Sequence, residues 1–207
     1  LDDSLIDLFS DKRIQSHFHL PIQSASDVVL KKVNRLYDVK RLYAVVASLR
    51  RVKNNPFIAA DIITGLPGES DEEFEKSFNV LKELSLSQLH VFPFSIRPQT
   101  ALFETKERVP ERIRDERAQI LRTYSANQMR SYTESYIGKV VEVILEEKKE
   151  RYWNAISANY LKVKVPHQSS LFRRGALVEV LLEKESQQET LIGRLNTTVG
   201  VKAAING

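Results

Sequence analysis

Residues 58–69, Ile58-Ala-Ala-Asp-Ile-Ile-Thr-Gly-Leu-Pro-Gly-Glu69, leave few folds open. An apolar run ends in a Gly/Pro loop with an acid on each side, Asp61 and Glu69. Ser70-Asp-Glu-Glu73 follows at once, with the capping-box spacing that opens a helix. Strand, glycine turn and capped helix form the unit of a parallel α/β sheet. The loop after such a strand lies at the carboxyl edge of the sheet, where ligands bind.

The same unit recurs on both sides. Residues 1–12 read as a short amphipathic helix, and 14–22 alternate apolar and polar residues as a strand. Ser26 is a good N-cap for a helix over 27–35. A helix over 39–53 places Leu42, Val45, Val46 and Leu49 on one face. Strand 57–63, helix 71–84 and strand 88–94 complete the alternation. Three strands cannot close a barrel or a full open sheet, so further strands are expected upstream of Leu1. The unpaired edge should then promote aggregation or dimerisation. Residues 101–109 read as a charged linker. Pro110 starts a long helix to about Tyr136, whose Arg112, Arg114, Arg117 and Arg122 lie among acids and read as a solvated face or, less readily, an RNA surface. From Lys139 the pattern turns all-β: five short strands (141–145, 152–157, 160–165, 176–182, 189–195) suggest a small closed barrel of the oligonucleotide-binding kind.

Composition narrows the chemistry. The chain has no cysteine, which excludes disulfides and any thiolate-held metal or iron–sulfur cluster made by this chain alone. Net charge is +4, most of it in the barrel, so nucleic acid is an admissible partner. No apolar run approaches the roughly 20 residues of a membrane span. The acidic start lacks Met and any signal-peptide pattern, which suggests a fragment or processed chain and a cytoplasmic protein without a membrane partner.

Four motifs resemble one family. Phe18-His-Leu-Pro-Ile-Gln-Ser-Ala-Ser-Asp-Val-Val-Leu-Lys-Lys-Val-Asn-Arg-Leu-Tyr37 is similar to the HLPLQSGSDxVLKxMxRxY segment of the radical S-adenosylmethionine methylthiotransferases. Asp61–Glu69 resembles their DIIxGFPGE, and His90–Thr100 their HVFPYSxRxGT. Asn159-Tyr-Leu-Lys-Val-Lys-Val-Pro166 resembles the NYxxVxVP strand of the TRAM barrel that ends these enzymes. Ala25, Val33 and Gln99 depart from the usual Gly, Met and Gly. The cluster-binding CxxxCxxC of the family lies upstream of the matched region.

The resemblance implies a partial (β/α) barrel, the C-terminal half of a radical SAM α/β domain (1–105), then a linker and long helix (106–137) and a TRAM/OB-like barrel (138–207). It implies S-adenosylmethionine and two [4Fe–4S] clusters for the full-length enzyme, with the cluster ligands absent here. One cluster reduces the cofactor to a deoxyadenosyl radical, which abstracts hydrogen from C2 of a modified adenosine in tRNA. Sulfur from the second cluster is inserted there and methylated. The implied partners are the tRNA anticodon stem-loop and the missing N-terminal cluster-bearing part. N6-threonylcarbamoyladenosine is the favoured substrate, N6-isopentenyladenosine the next, and a ribosomal protein the third. A stand-alone RNA-binding module on a degenerate scaffold is the competing reading.

This chain then supplies the far wall of a cofactor pocket, with three rims at 23–26, 61–69 and 95–100. Gln23 and Ser24 bond the cofactor's ribose or amino-acid portion, or only cap a turn. Asp61, an acid late in a buried strand, needs a partner: a ligand, Arg35 or Arg97. Gly65 shapes its loop or lets backbone approach adenine. Glu69 is a ligand or a helix-start charge. Ser95 and Arg97 end the third strand, and Arg97 suits a carboxylate or phosphate. His17, His19 and His90 lack metal-ligand spacing and read as core or strand-pairing residues. In the barrel, Arg151, Trp153, Tyr160, Lys162, Lys164, Arg173 and Arg174, with Tyr152, mix bases and aromatics as surfaces that hold unpaired RNA do.

Overall fold

The computed structural model describes residues 3–96, 107–167, 172–184 and 191–195. The chain divides into two compact units, 1–129 and 130–207.

The first unit alternates helix and strand. Helix α1 (Asp3–Leu8) precedes β1 (His17–Gln23), α2 (Asp27–Lys32) and α3 (Val39–Val52). Then come β2 (Phe57–Thr64), α4 (Asp71–Leu84), β3 (Gln88–Pro93) and α5 (Glu111–Glu134). The strands pair in parallel in the order β1-β2-β3, so all three end at the same edge. Ser26, Asp38 and Ser70 each accept the backbone N–H that caps α2, α3 and α4. Helix α2 stops three residues short of its expected end, because Asn34 takes a left-handed φ of 57° and Arg35 N–H bonds back to the Leu30 carbonyl.

Strand alternation sorts side chains to two faces. Phe18 and Ile22, Ile58, Ala60 and Ile62, and Leu89 and Val91 pack with Leu42, Val46, Leu49, Phe74 and Leu81 into the core. The opposite face carries His19, Asp61, His90 and Phe92.

Helix α5 is not the solvated rod that its arginines suggest. Arg117 is 5% exposed. The Ser125 hydroxyl accepts from Leu89 N–H (2.8 Å) and donates to Leu89 C=O (3.0 Å). Arg122 donates to Val91 C=O (3.0 Å) and Arg114 to Phe94 C=O. Of the four arginines only Arg112 meets just an exposed acid, Glu116. The outer edge of β3 is therefore covered by α5 side chains at Leu89, Val91 and Phe94. At β1 the Tyr37 hydroxyl bonds the Pro21 and Ile22 carbonyls.

The second unit is a closed five-stranded barrel. Its strands are β4 (Val140–Lys148), β5 (Tyr152–Ser157), β6 (Lys162–Pro166), β7 (Leu177–Lys184) and β8 (Leu191–Leu195), in the order β4-β5-β6-β8-β7. Alternate residues fill it: Val143 and Leu145, Trp153 and Ala155, Val163 and Val165, Val178, Val180 and Leu182. Gly193 is required on β8, because a Cβ there would lie 2.8–2.9 Å from Val180 and Val163. Tyr132 and Tyr136, from the end of α5 and just beyond it, pack against this core, and the Tyr132 hydroxyl accepts from Asn159 (2.9 Å).

Candidate functional site

Because the strands are parallel and in sequence order, the ends of β1, β2 and β3 fall at one edge. This brings Gln23 and Ser24, Gly65, and Phe94 and Ser95 to the same rim. Phe94 N–H bonds Thr64 C=O (2.8 Å), which ties the last two rims together. Arg97 and Gln99 lie outside the described residues.

The rim residues divide by what their groups already do. Gln23 has a φ of 55° and sits in a three-residue turn closed by Ser24 N–H on Ile22 C=O. A non-glycine residue held there is a strained position at the mouth of the site. Ala25 has no positive φ, so its methyl is tolerated; the left-handed residue is Gln23. Ser24 is 1% exposed, and its hydroxyl accepts from Ser26 N–H, which makes it a turn-former turned inward. Ser26 donates to Glu73 (2.5 Å) and Ala25 N–H bonds the Ser77 hydroxyl (3.1 Å), so α4 clamps the first rim. Hydrogen bonds from Ser26 and Lys76 hold the Glu73 carboxyl below its ordinary range.

The second rim is clamped from α5. Gly65 N–H donates to Glu69 Oε1 (2.7 Å), and the same oxygen meets Arg117 Nη1 (2.7 Å). Arg117 also bonds the Glu69 carbonyl (3.0 Å) and Asp71 (2.6 Å), and its guanidinium stacks on Phe74. Glu69 is 4% exposed at the side chain. Burial pushes its carboxyl up, while the Gly65 N–H and Arg117 pull it back. Glu69 is thus a loop staple, and its buried partner is the residue that the sequence pattern conceals. Gly65 has a φ of 77°, and a Cβ there would lie 2.0 Å from Arg114 Cγ, so both backbone and neighbour demand glycine.

Among the described residues Asp61 pairs with His19 and not with Arg35. Its Oδ1 lies 2.7 Å from His19 Nε2, and the His19 ring stacks on His90 at 4.9 Å with an interplanar angle of 10°. The side chains of His19 and Asp61 are 43% and 31% exposed. Of the core and strand-pairing roles expected for His19 and His90, the cross-strand one is what the structure shows. They stand on the other face because their strand parity opposes that of Phe18, Leu89 and Val91. His17, packed on Phe57, is held below the usual imidazole range by burial and by the neighbouring histidines.

On the barrel, Tyr152, Asn154 and Ile156 alternate outward opposite Pro166, Lys164 and Lys162. Lys164 lies over the Tyr152 ring at 5.2 Å. Tyr160 is 42% exposed, in a left-handed turn. Arg151, Lys162, Arg173 and Arg174 are exposed. His167 N–H bonds Arg151 C=O, and Gly175 N–H bonds Leu145 C=O. Trp153 departs from expectation: at 5% exposed it fills the barrel core, and its ring is closed to an outside ligand. Tyr152 and Tyr160 are the aromatics left outside.

Known proteins resemble this chain at both levels. The model of the radical SAM superfamily matches residues 1–81. The threonylcarbamoyladenosine tRNA methylthiotransferase MtaB of Treponema pallidum (strain Nichols) is 37% identical over 74% of this chain and 31% of its own length. Those of Bacillus subtilis (strain 168) and Rickettsia prowazekii (strain Madrid E) are 34% and 37% identical, over 79% and 70% of this chain and 38% and 35% of theirs. The chain therefore spans about a third of the length of these curated relatives. Among solved structures, coproporphyrinogen III oxidase (HemN) from Escherichia coli, a radical SAM enzyme, aligns with a TM-score of 0.53 over 62% of this chain and 30% of that one. At 19% identity that likeness speaks to the fold alone. Motifs, sheet and relatives converge: the chain belongs to the radical SAM methylthiotransferase family.

Proposed function

We propose that this chain is part of a tRNA methylthiotransferase that adds a methylthio group to C2 of a modified adenosine beside the anticodon. The observation that carries the reading is that the three family-like loops end three adjacent parallel strands at one rim. The names of the three relatives favour N6-threonylcarbamoyladenosine as the substrate, ahead of N6-isopentenyladenosine.

The residues present do not fit an iron–sulfur cluster. The chain has no cysteine, and no group of three His, Cys, Asp or Glu among the described residues is placed to hold a metal. The clusters fall to a cysteine-bearing N-terminal part, and this polypeptide alone is inactive in our reading. S-adenosylmethionine suits the donor set better: Gln23 and Ser95 bring an amide and a hydroxyl to the strand ends, and Asp61 a carboxylate on β2. When bound, it supplies the methyl group and the adenosyl group from which the radical forms. Gln23, Asp61 and Ser95 hold and orient it. Gly65 admits it by the absence of a side chain, since its N–H is already given to Glu69. Ser24 keeps the turn beneath Gln23.

The barrel is a TRAM domain that grips the anticodon stem-loop. Arg151, Lys162, Lys164, Arg173 and Arg174 meet phosphates, while Tyr152 and Tyr160 offer stacking faces.

A chimera tests the whole reading. This chain replaces the matching segment of the Bacillus subtilis relative, and tRNA digests are read by mass spectrometry. The expected product is 2-methylthio-N6-threonylcarbamoyladenosine. The isopentenyl product instead would reassign the substrate. A folded, cluster-loaded chimera that modifies neither would end the proposal.

A further inference from the structure

The turn between β5 and β6 holds one residue in a conformation that its side chain disfavours. Tyr160 has a φ of 66°, in the left-handed region that suits glycine or asparagine, and it is 42% exposed. The turn around it is closed twice: Tyr160 N–H donates to Ser157 C=O (2.9 Å), and Ser157 N–H to Leu161 C=O (3.0 Å). A side-chain relay backs it from inside. The Ser157 hydroxyl accepts from Leu161 N–H (3.0 Å) and donates to Asn159 Oδ1 (2.6 Å). Asn159 Nδ2 donates in turn to the Tyr132 hydroxyl (2.9 Å). Ser157 and Asn159 are each 6% exposed and Leu161 is fully buried. Residues 157, 159 and 161 thus face inward, and Tyr160 stands at the surface.

A bulky residue stays in such a conformation only where its surroundings over-determine it, and such residues gather at binding sites. Tyr160 is not among the side chains that fill the barrel, so core packing does not offset the strain, and glycine would hold the same turn with less. What tyrosine adds is a rigid aromatic face. Lys162 opens β6 two residues on. Lys139, over the Tyr136 ring at 4.7 Å, precedes β4 at the same end of the barrel, where Val143 pairs with Ser157. An outward ring with cations beside it suits a stacked base whose phosphates meet the lysines. The polar groups of the turn are engaged in holding it, so the site grips a base by its face and not by its edge. We propose that the 157–161 turn is a preformed platform on which an unpaired RNA base stacks, with Tyr160 as its face and Tyr132 and Asn159 as positioning residues. This rests on the RNA-binding reading of the barrel, and it adds that a side chain of α5, outside the strands, sets the platform.

The test uses the 207-residue chain and an end-labelled anticodon stem-loop RNA with 2-aminopurine placed at each loop position in turn. A fully paired RNA duplex is the control. Fluorescence anisotropy reads affinity, 2-aminopurine quenching reads stacking, and thermal melting reads stability. Tyr160→Gly removes the ring and relieves the backbone. It is expected to melt no lower than the parent chain, to bind the stem-loop about tenfold more weakly, within what base–aromatic stacking contributes, and to lose the quenching. Tyr132→Phe keeps the packing of that ring and removes the hydrogen bond from Asn159. It is expected to weaken the stem-loop about threefold, and to weaken it no further in the Tyr160→Gly background, while its effect on melting persists there. A merely structural Tyr132 would lower affinity alike in both backgrounds, and that result, or no loss in either, would remove it from the site. Three results would overturn the platform: parental stem-loop affinity in Tyr160→Gly, a marked drop in its melting temperature, or an equal loss on the duplex. Salt-sensitive stem-loop binding that Tyr160→Gly leaves unchanged would keep the RNA reading and remove this one, whereas no salt-sensitive binding by the parent chain would end both.

Discussion

At the residue scale, Ser26 does two jobs that separate by pH. It caps α2 through Val29 N–H and donates to Glu73. The Glu73 carboxyl is held below its ordinary value, so the stabilisation from that bond is present above about pH 4.5 and fades as pH falls through the lower folded-state value. Ser26→Ala should cost about 1–2 kcal/mol at pH 7 and less at pH 3, by the share of Glu73 that has taken up a proton there. Urea denaturation at the two pH values gives the comparison; an equal cost at both would mean that Glu73 contributes nothing. Two glycines make a second paired test. Gly65 and Gly175 both have positive φ, 77° and 83°, but a Cβ meets Arg114 at the first and nothing within 4 Å at the second. Gly175→Ala should therefore cost only the backbone strain, about 1–2 kcal/mol. Gly65→Ala should cost more and also loosen the rim. Equal losses in denaturant midpoint would show that Arg114 simply swings away.

At the element scale, α5 shows what a sequence pattern hides. Its arginines sit among acids, and read alone they describe a solvated helix. The structure turns Arg117 onto Glu69 and gives the edge of β3 to Ser125 and Arg122. No local periodicity announces this, because the partners lie 31–48 residues away. By contrast, β2 with α4 was legible almost to the residue, since apolar run, glycine loop and capping box all point the same way. Of the candidate site, the ends of the three strands could be read. The pairing of Asp61 with His19 could not, because it depends on strand register and parity. Edge protection yields a further prediction. At β1, Pro21 lacks an N–H, and Tyr37 occupies the carbonyls of Pro21 and Ile22. Tyr37→Phe frees both and should raise the dimer fraction in sedimentation velocity at high protein concentration. An unchanged distribution would mean that this edge is silent by other means.

At the scale of the whole molecule, the question is where the barrel begins. Sequence pattern changes at Lys139, where alternation replaces helical spacing. Packing places the boundary earlier, between Met129 and Arg130. The reason is chemical. Tyr132 and Tyr136 precede the first strand, yet they pack against the barrel core, and Tyr132 accepts a hydrogen bond from Asn159. Burial pushes the Tyr132 hydroxyl far above its ordinary value, so it stays protonated throughout the physiological range. A barrel cut at residue 138 exposes the apolar surface that these rings cover and leaves Asn159 short of a partner. The loss should be about 2–4 kcal/mol, the scale for removing a large core-packed side chain. For a domain this small, that lowers the melting temperature by roughly ten degrees or more. A polypeptide of residues 130–207 should therefore unfold cooperatively on its own, while residues 138–207 melt markedly earlier. Equal melting of the two would return the boundary to the point where the sequence pattern changes. Tyr132→Phe in the longer piece then separates the hydrogen bond, worth about 1 kcal/mol, from ring packing, which that substitution leaves in place.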